Sequence, residues 1–207
     1  MKKLTIIIAI FIATGISAQS KYQSGMQKAF GLWGQGKMTE ASNLFERISK
    51  AEKENWLPSF YAGYTIVLSS FGVKDEATLK SKLEKAEAFL NEAALISPNN
   101  PEIMIIQALH NTAYIAYDGQ KYGMTLSGKN SQIYAKAIAL APNNPRVILG
   151  NAEWNMGSAK FFGKSTKPYC DEIKRAIDLG KNEKNEVEFY PKFQVPRAEQ
   201  VLKQCQQ

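Results

Sequence analysis

The chain contains Ser97-Pro98-Asn99-Asn100-Pro101, and 44 residues later it repeats this pattern as Ala141-Pro142-Asn143-Asn144-Pro145. Each copy lies between two stretches whose apolar residues recur at helical spacing. Because proline is favoured in the first turn of a helix, Pro101 and Pro145 each predict a helix start. The repeat therefore predicts an all-α fold that is built from helix-turn-helix units.

Glycines divide the chain into about four such units. Gly72, Gly119 and Gly163 each end an apolar segment, as helix-stopping glycines do. We interpret Trp56-Leu57-Pro58 as the end of the first unit, with the next helix running over residues 59–71. Near the C-terminus, residues 181–195 are expected to form a loop that packs back through its aromatic side chains. A last short helix follows and is expected to cap the stack.

The first unit carries a pattern that is similar to a known repeat. Leu32-Trp33-Gly34-Gln35-Gly36-Lys37-Met38-Thr39-Glu40-Ala41 contains a small-residue turn and an alanine in the second helix, and Phe45 and Pro58 follow. These features resemble the tetratricopeptide repeat (TPR), in lengthened and degenerate form. The resemblance implies a TPR-like solenoid of about four units with a C-terminal capping helix. It also implies that the first helices of the repeats line a groove for a protein or peptide partner.

The N-terminus has the three-part pattern of an export signal. Lys2-Lys3 precede an apolar run, and small residues follow it up to Ala18. We expect a signal peptide at 1–18, cleavage before Gln19, and a single mature domain at 19–207 in the periplasm or outside the cell. No later apolar run is long enough to predict a transmembrane segment after the signal is removed.

The charge pattern argues against a nucleic-acid partner. The full chain has a formal net charge of +7, and loss of the two signal lysines leaves +5. Lysine and glutamate alternate within the predicted helices, and no basic block exceeds two residues. This is typical of solvated helix surfaces rather than of a nucleic-acid interface.

Catalytic and metal-binding motifs are incomplete. Residues 123–130 approach a phosphate-binding loop, but Asn130 stands where magnesium needs a hydroxyl, and residues 163–166 form a second near match. No strand is predicted before either segment, so we interpret both as turns between helices. His110 is the only histidine and has no neighbouring ligand types. We therefore expect no enzyme activity, no metal and no cofactor.

Two cysteines remain in the exported chain. Cys170 is predicted in the first turn of one helix and Cys205 in the last turn of the final helix, so antiparallel packing of the two helices brings both sulfurs to the same end. A disulfide there closes a loop of about 35 residues and contributes on the order of 3 kcal/mol in the chain-entropy model. Two buried thiols are the alternative, because the sequence does not supply the sulfur geometry.

A polar stripe is the candidate binding site. Gln107, Asn111 and Tyr114 recur 44 residues later as Asn151, Asn155 and Ser158, and each set occupies one helical face. Amides of this kind can bind a peptide backbone, and stacking surface is expected from Tyr61, Tyr64 and Trp154. In the alternative interpretation the amides bond one another between packed helices. The alternative function is a periplasmic small-ligand-binding protein that uses the same stripe.

Overall fold

The computed structural model describes residues 21–206, and this part of the chain is helical without any strand. The predicted signal peptide, residues 1–18, lies outside the described residues. Helix α1 covers residues 21–34. It is followed by α2 (Met38–Ala51), α3 (Trp56–Ser70), α4 (Glu76–Ile96), α5 (Pro101–Tyr117), α6 (Gly119–Leu140), α7 (Pro145–Phe161), a 3₁₀ turn (Lys167–Tyr169), α8 (Cys170–Lys181) and α9 (Val195–Cys205). The predicted all-α class is thereby confirmed.

Asparagine side chains begin three of these helices in the same way. Asn100 and Asn144, from the repeated pattern, each accept a hydrogen bond at 2.9 Å from the backbone N–H two residues further on. Asn55 does the same for α3 at 3.1 Å. These bonds satisfy backbone donors that lack a partner inside the helix. Because α3, α5 and α7 share this cap, positions counted from the cap asparagine correspond among the three helices.

The three helices with asparagine caps also lie side by side. Helix α3 contacts α5, and α5 contacts α7. We call α3, α5 and α7 the inner row. Helices α2 and α4 pack on α3, α4 and α6 pack on α5, and α6 and α8 pack on α7. The inner row is therefore held by flanking helices and keeps one face turned away from them, which we call the inner face.

Apolar side chains form two buried clusters. The larger one joins α1 to α5 and includes Phe45, Phe60 and Leu83, which are almost completely buried. The smaller one joins α7, α8 and α9 around Ile173 and Ala198. Helix α9 contacts α8 and α7, so the last helix closes the C-terminal end of the core, as its apolar face predicts.

Two helix boundaries differ from the sequence prediction. Trp56-Leu57-Pro58 begins α3 and does not end the preceding unit, because Asn55 caps the helix one residue earlier and proline is tolerated in a first turn. Gly119 begins α6 and does not end α5, because Asp118 accepts from the Lys121 N–H at 3.0 Å and caps the next helix at once. Both boundaries follow from side-chain caps.

The interpretation of residues 123–130 as a turn is also wrong, because they lie inside the continuous helix α6. Asn130 is completely buried there and donates to the Ala108 carbonyl and the Thr112 hydroxyl of α5, each at 3.0 Å. These bonds attach α6 to α5 and outweigh the low helix propensity of the two glycines. Residues 163–166, the second near match, do lie in the turn after α7.

The C-terminal helices carry the covalent link of the fold. A disulfide joins Cys170 in α8 to Cys205 in α9, with their Cα atoms 5.7 Å apart. Beside it the Thr166 hydroxyl donates to the Cys205 carbonyl at 3.0 Å. In the described part of the chain, no helix has the length and apolar character that a membrane span requires.

Candidate functional site

Corresponding positions of α3, α5 and α7 carry side chains of different chemical type on the inner face. Nine residues after the cap asparagine stand Tyr64 in α3, Leu109 in α5 and Glu153 in α7. All three side chains are only partly buried. The row therefore changes along the inner face from aromatic through aliphatic to acidic.

The aromatic end of this row is continuous with α1. The ring of Trp33 meets the ring of Tyr64 edge to face, with centroids 5.3 Å apart. The ring of Phe60, one turn before Tyr64, is tilted against the Tyr64 ring at a centroid distance of 5.9 Å. Edge-to-face contacts of this kind hold aromatic rings in fixed orientations. Trp33 and Tyr64 thus present a rigid, partly exposed aromatic surface.

The acidic end carries an ion pair that bridges two helices. Arg197, in the first turn of α9, donates to the Glu153 carboxylate at 2.6 Å, and the arginine side chain is 56% exposed. Burial raises the pKa of the Tyr64 phenol, the charge of Arg197 lowers it, and the charge of Glu153 raises it. Within residues 21–206 the Tyr64 hydroxyl has no hydrogen-bond partner.

A loop from the C-terminal region covers part of the inner face. Residues 182–194, which we call the strap, return from α8 across the N-terminal ends of the inner row. The hydroxyl of Tyr61 donates to the Phe189 carbonyl at 2.7 Å, and the Phe189 ring stacks on Phe30 with centroids 5.8 Å apart. The ring of Tyr190 lies edge to face on Trp56. The strap therefore fills the N-terminal part of the groove and leaves the Tyr64 row outside it.

Charged groups attach the strap to α5 and α7. Arg146 Nε donates to Glu102 at 2.8 Å, and its terminal nitrogens donate to Glu183 of the strap at 2.6 and 2.7 Å. Burial lowers the pKa of Arg146, but the bonds to Glu183 and Glu102 raise it by more, so the guanidinium stays charged. Tyr190 places its ring near this guanidinium, and burial together with the charge of Glu102 raises the tyrosine pKa to about 12.

An open hollow continues the groove beyond the Tyr64 row. It has a volume of about 470 Å³ and lies between the C-terminal ends of α3 and α5, where Phe71, Ala116 and Tyr117 line it. Ala116 stands seven residues, or about two helical turns, after Leu109 in α5, and Phe71 is the residue that follows α3. The hollow is thus lined in part by the face of α5 that carries Leu109.

The predicted polar stripe does not lie on this surface. Asn111 Nδ2 donates to Asn130 of α6 at 2.9 Å, and the Tyr114 ring contacts the Tyr122 ring of α6. His110, beside them, has its Nε2 at 3.1 Å from the Leu83 carbonyl of α4. This face of α5 therefore contacts the flanking helices α4 and α6, and the amide of Asn111 has a structural bond.

The remaining predicted site residues differ in their surroundings. Tyr61 is buried in the core and bonds the strap, whereas Tyr64 lies on the inner face. The side chains of four others form no hydrogen bond within residues 21–206 and are partly buried: Gln107, Asn151, Trp154 and Asn155. Of the predicted site residues, Tyr64 belongs to the inner-face row.

Sequence reasoning missed Glu153, Arg197 and the buried Glu102–Arg146 pair. The shared asparagine cap could have identified Glu153 from the sequence, because Glu153 and Tyr64 each stand nine residues after their cap asparagine. Glu102 and Arg146 likewise correspond, since each stands two residues after its cap. Arg197 has no such signal, because α9 begins without a side-chain cap.

These features define an all-α protein of adjacent helical hairpins with a partly covered inner groove. Its fold is similar to that of the solved HusA haemophore from Porphyromonas gingivalis, with a TM-score of 0.77 and 20% sequence identity. The similarity covers 88% of this chain and 91% of that one. No protein-family model and no curated protein sequence matches the chain. The comparison establishes a shared fold.

Proposed function

We propose that this chain is an exported small-ligand-binding protein that takes a flat, largely apolar ligand, haem in the first place, on its inner face. The observation that carries the proposal is the partly exposed row of Trp33, Tyr64 and Leu109 that ends at the Glu153–Arg197 pair. A flat macrocycle buries its faces against such a row. The proposal assigns no catalysis and no resident cofactor to the chain.

The polar end of the row suits the side groups of haem. Haem carries carboxylates at one edge of an apolar ring, and arginine binds carboxylates through paired N–H donors. Arg197 is more than half exposed, so its second edge is open to an incoming carboxylate. The charges of Arg197 and Glu153 act on the pKa of the Tyr64 phenol, and a tyrosine oxygen is one of the groups that hold haem iron in proteins.

The shared fold supports the same proposal. HusA is described as a haemophore, and its fold covers nearly all of this chain. An extracellular or periplasmic location of the mature chain, from Gln19 onward, belongs to the proposal as well. It rests on the three-part signal pattern of residues 1–18.

The scaffold function is the second candidate. The inner row of three corresponding helices suits a TPR-like solenoid of about four units, whose inner face binds a protein or peptide partner. The strap weighs against a long peptide, because Phe189 and Tyr190 already fill the N-terminal part of the groove. A small ligand needs only the part that remains open.

The test is a titration of the mature protein with haemin and with metal-free protoporphyrin, followed by absorption in the Soret region. We expect saturable binding of both, weakened about ten-fold or more in Arg197→Gln because a charge-assisted bond to the ligand is lost. Tyr64→Phe is expected to change the haemin spectrum but not the protoporphyrin spectrum. Matched controls are Arg47→Gln, on the exposed side of α2, and Tyr114→Phe, on the α6 side of α5.

Two results overturn the proposal. One is the absence of saturable binding of either compound by the folded wild type. The other is equal binding by the Arg197→Gln, Tyr64→Phe and control variants, which places the ligand elsewhere. If a protein partner raises the hydrodynamic mass while neither compound binds, the scaffold function is favoured.

A further inference from the structure

The C-terminal end of α7 carries two adjacent exposed phenylalanines. Phe161 and Phe162 are 68% and 66% exposed, and their rings meet edge to face with centroids 5.1 Å apart. The inner-face row and the hollow beside Phe71 do not include either residue. Single exposed apolar residues are common, but a contiguous exposed pair at the end of a helix marks an interaction surface.

Three lysines surround a second hollow beside these rings. Lys160, Lys164 and Lys167 line it together with Ser165, and its volume is about 310 Å³. None of the three lysines forms an ion pair within the part of the chain that the structure describes, whereas Lys121 bonds Glu76 and Lys174 bonds Asp171. The sequence between Glu153 and Asp171 contains no acidic residue. The hollow is therefore a local excess of positive charge.

The turn that carries these residues is fixed to the fold. Gly163 adopts a positive φ of 64°, and the Lys164 N–H donates to the Ala159 carbonyl at 2.7 Å, which closes the end of α7. Further along, Thr166 bonds the Cys205 carbonyl, and Cys170 forms the disulfide to Cys205. The phenylalanines and lysines are thus presented together by a rigid tip.

From this arrangement we propose that the tip, Lys160 to Lys167, docks on an anionic phospholipid surface. The rings of Phe161 and Phe162 enter the boundary between headgroups and acyl chains, where aromatic side chains are stabilised. The lysines around the hollow bind the phosphate of a headgroup. Charge complementarity selects this partner, because an apolar protein surface leaves three unpaired lysines at the contact and an anionic lipid pairs them.

The test is co-sedimentation of the mature protein with phospholipid vesicles. One vesicle is phosphatidylcholine alone, and the other contains about a third phosphatidylglycerol, which supplies the anionic surface. We expect binding to the anionic vesicles that weakens as salt is added, since salt screens the lysines. A triple variant is expected to reduce the partition coefficient about a hundred-fold, on the order of five-fold for each lysine. It carries Lys160→Gln, Lys164→Gln and Lys167→Gln.

Matched controls distinguish binding through this surface from non-specific apolar and electrostatic binding to the vesicles. A control triple variant removes the same charge from exposed positions on α1 and the turns that flank α2, through Lys28→Gln, Lys37→Gln and Lys53→Gln. This control is expected to bind the anionic vesicles nearly as well as the wild type. For the apolar part, Phe161→Ser, Phe162→Ser is expected to reduce binding ten-fold or more. Leu95→Ser, Met124→Ser, at positions 85% and 96% exposed, is expected to have little effect.

Because all these positions are exposed, far-UV circular dichroism is expected to show the same helix content in every variant. Failure of the wild type to bind anionic vesicles overturns the proposal, as does equal binding to both vesicle types or equal loss in test and control variants. Haemin titration of the tip variants is expected to match the wild type, so the two proposals fail independently.

Discussion

Arg146 donates its Nε–H to a Glu102 carboxylate oxygen at 2.8 Å, and the glutamate side chain is completely buried. Asn144, the cap of α7, donates to the other carboxylate oxygen at 2.6 Å. The same arginine bonds Glu183 of the strap. One guanidinium therefore links α5, α7 and the strap at the covered end of the inner groove.

Loss of this arginine is predicted to destabilise the fold strongly. Arg146→Met leaves the buried Glu102 carboxylate without its cation, so we expect the free energy of unfolding to fall by about 3 to 5 kcal/mol. Replacing both partners, Glu102→Leu with Arg146→Met, removes the unpaired charge and is expected to restore part of the loss. Urea unfolding measures both effects. If Arg146→Met is as stable as the wild type, Arg146 is not the cation that stabilises the buried Glu102 carboxylate.

Asn130 is predicted to stabilise the α5–α6 pair. Asn130→Ala leaves the Ala108 carbonyl and the Asn111 amide without their partner, which is expected to lower the free energy of unfolding by roughly 1 to 3 kcal/mol. The matched control is Asn155→Ala, since the Asn155 side chain forms no hydrogen bond within residues 21–206. Thermal unfolding of the two variants measures the difference in stability. If both substitutions lower the melting temperature equally, the hydrogen bonds of Asn130 do not stabilise the α5–α6 pair.

The same asparagine shows what a sequence pattern can and cannot predict. Apolar spacing and the Asn–Pro helix starts are local features, and they predicted most of the helices that the structure contains. Asn130 falls within a glycine-containing stretch, so local propensity favoured a turn. Its hydrogen bonds to α5 are tertiary contacts, and they stabilise the helical conformation over a turn.

The candidate site was less predictable for a similar reason. Periodicity correctly groups Gln107, Asn111 and Tyr114 on one face of α5, but it does not say which neighbours that face meets. The structure places it against α4 and α6, and the groove lies on the face of Leu109. The strap was predicted to pack back through its aromatics, but its target was not, because Tyr61 and Phe189 are 128 residues apart in the sequence.

The disulfide is predicted to hold the C-terminal helices against the core. Reduction, or Cys170→Ala with Cys205→Ala, opens a loop spanning 35 residues, which is expected to lower the free energy of unfolding by roughly 3 to 4 kcal/mol. A reductant is expected to lower the melting temperature of the wild type and to leave that of the double variant unchanged. Equal melting of oxidised and reduced wild type contradicts a stabilising role.

Glu76 is predicted to make the α4–α6 contact sensitive to acid. Its carboxylate accepts from Lys121 and from the Tyr122 hydroxyl, each at 2.6 Å, and it also pairs with Lys80. These bonds lower its pKa from an ordinary 4.5 to about 2. A carboxyl group whose pKa is depressed by folding stabilises the folded state above its unfolded pKa, and the effect is lost as the pH falls through the folded pKa.

The stability difference between wild type and Glu76→Gln is therefore expected to be full at pH 7 and to shrink between pH 4.5 and about 2. Urea unfolding at several pH values measures it, and an NMR titration of the Glu76 side chain reports the pKa directly. Glu87→Gln is the matched control on α4, because Glu87 is exposed and forms no ion pair in residues 21–206. A difference that stays constant down to pH 2 contradicts the prediction, because it shows that ionisation of Glu76 is not what stabilises the α4–α6 contact.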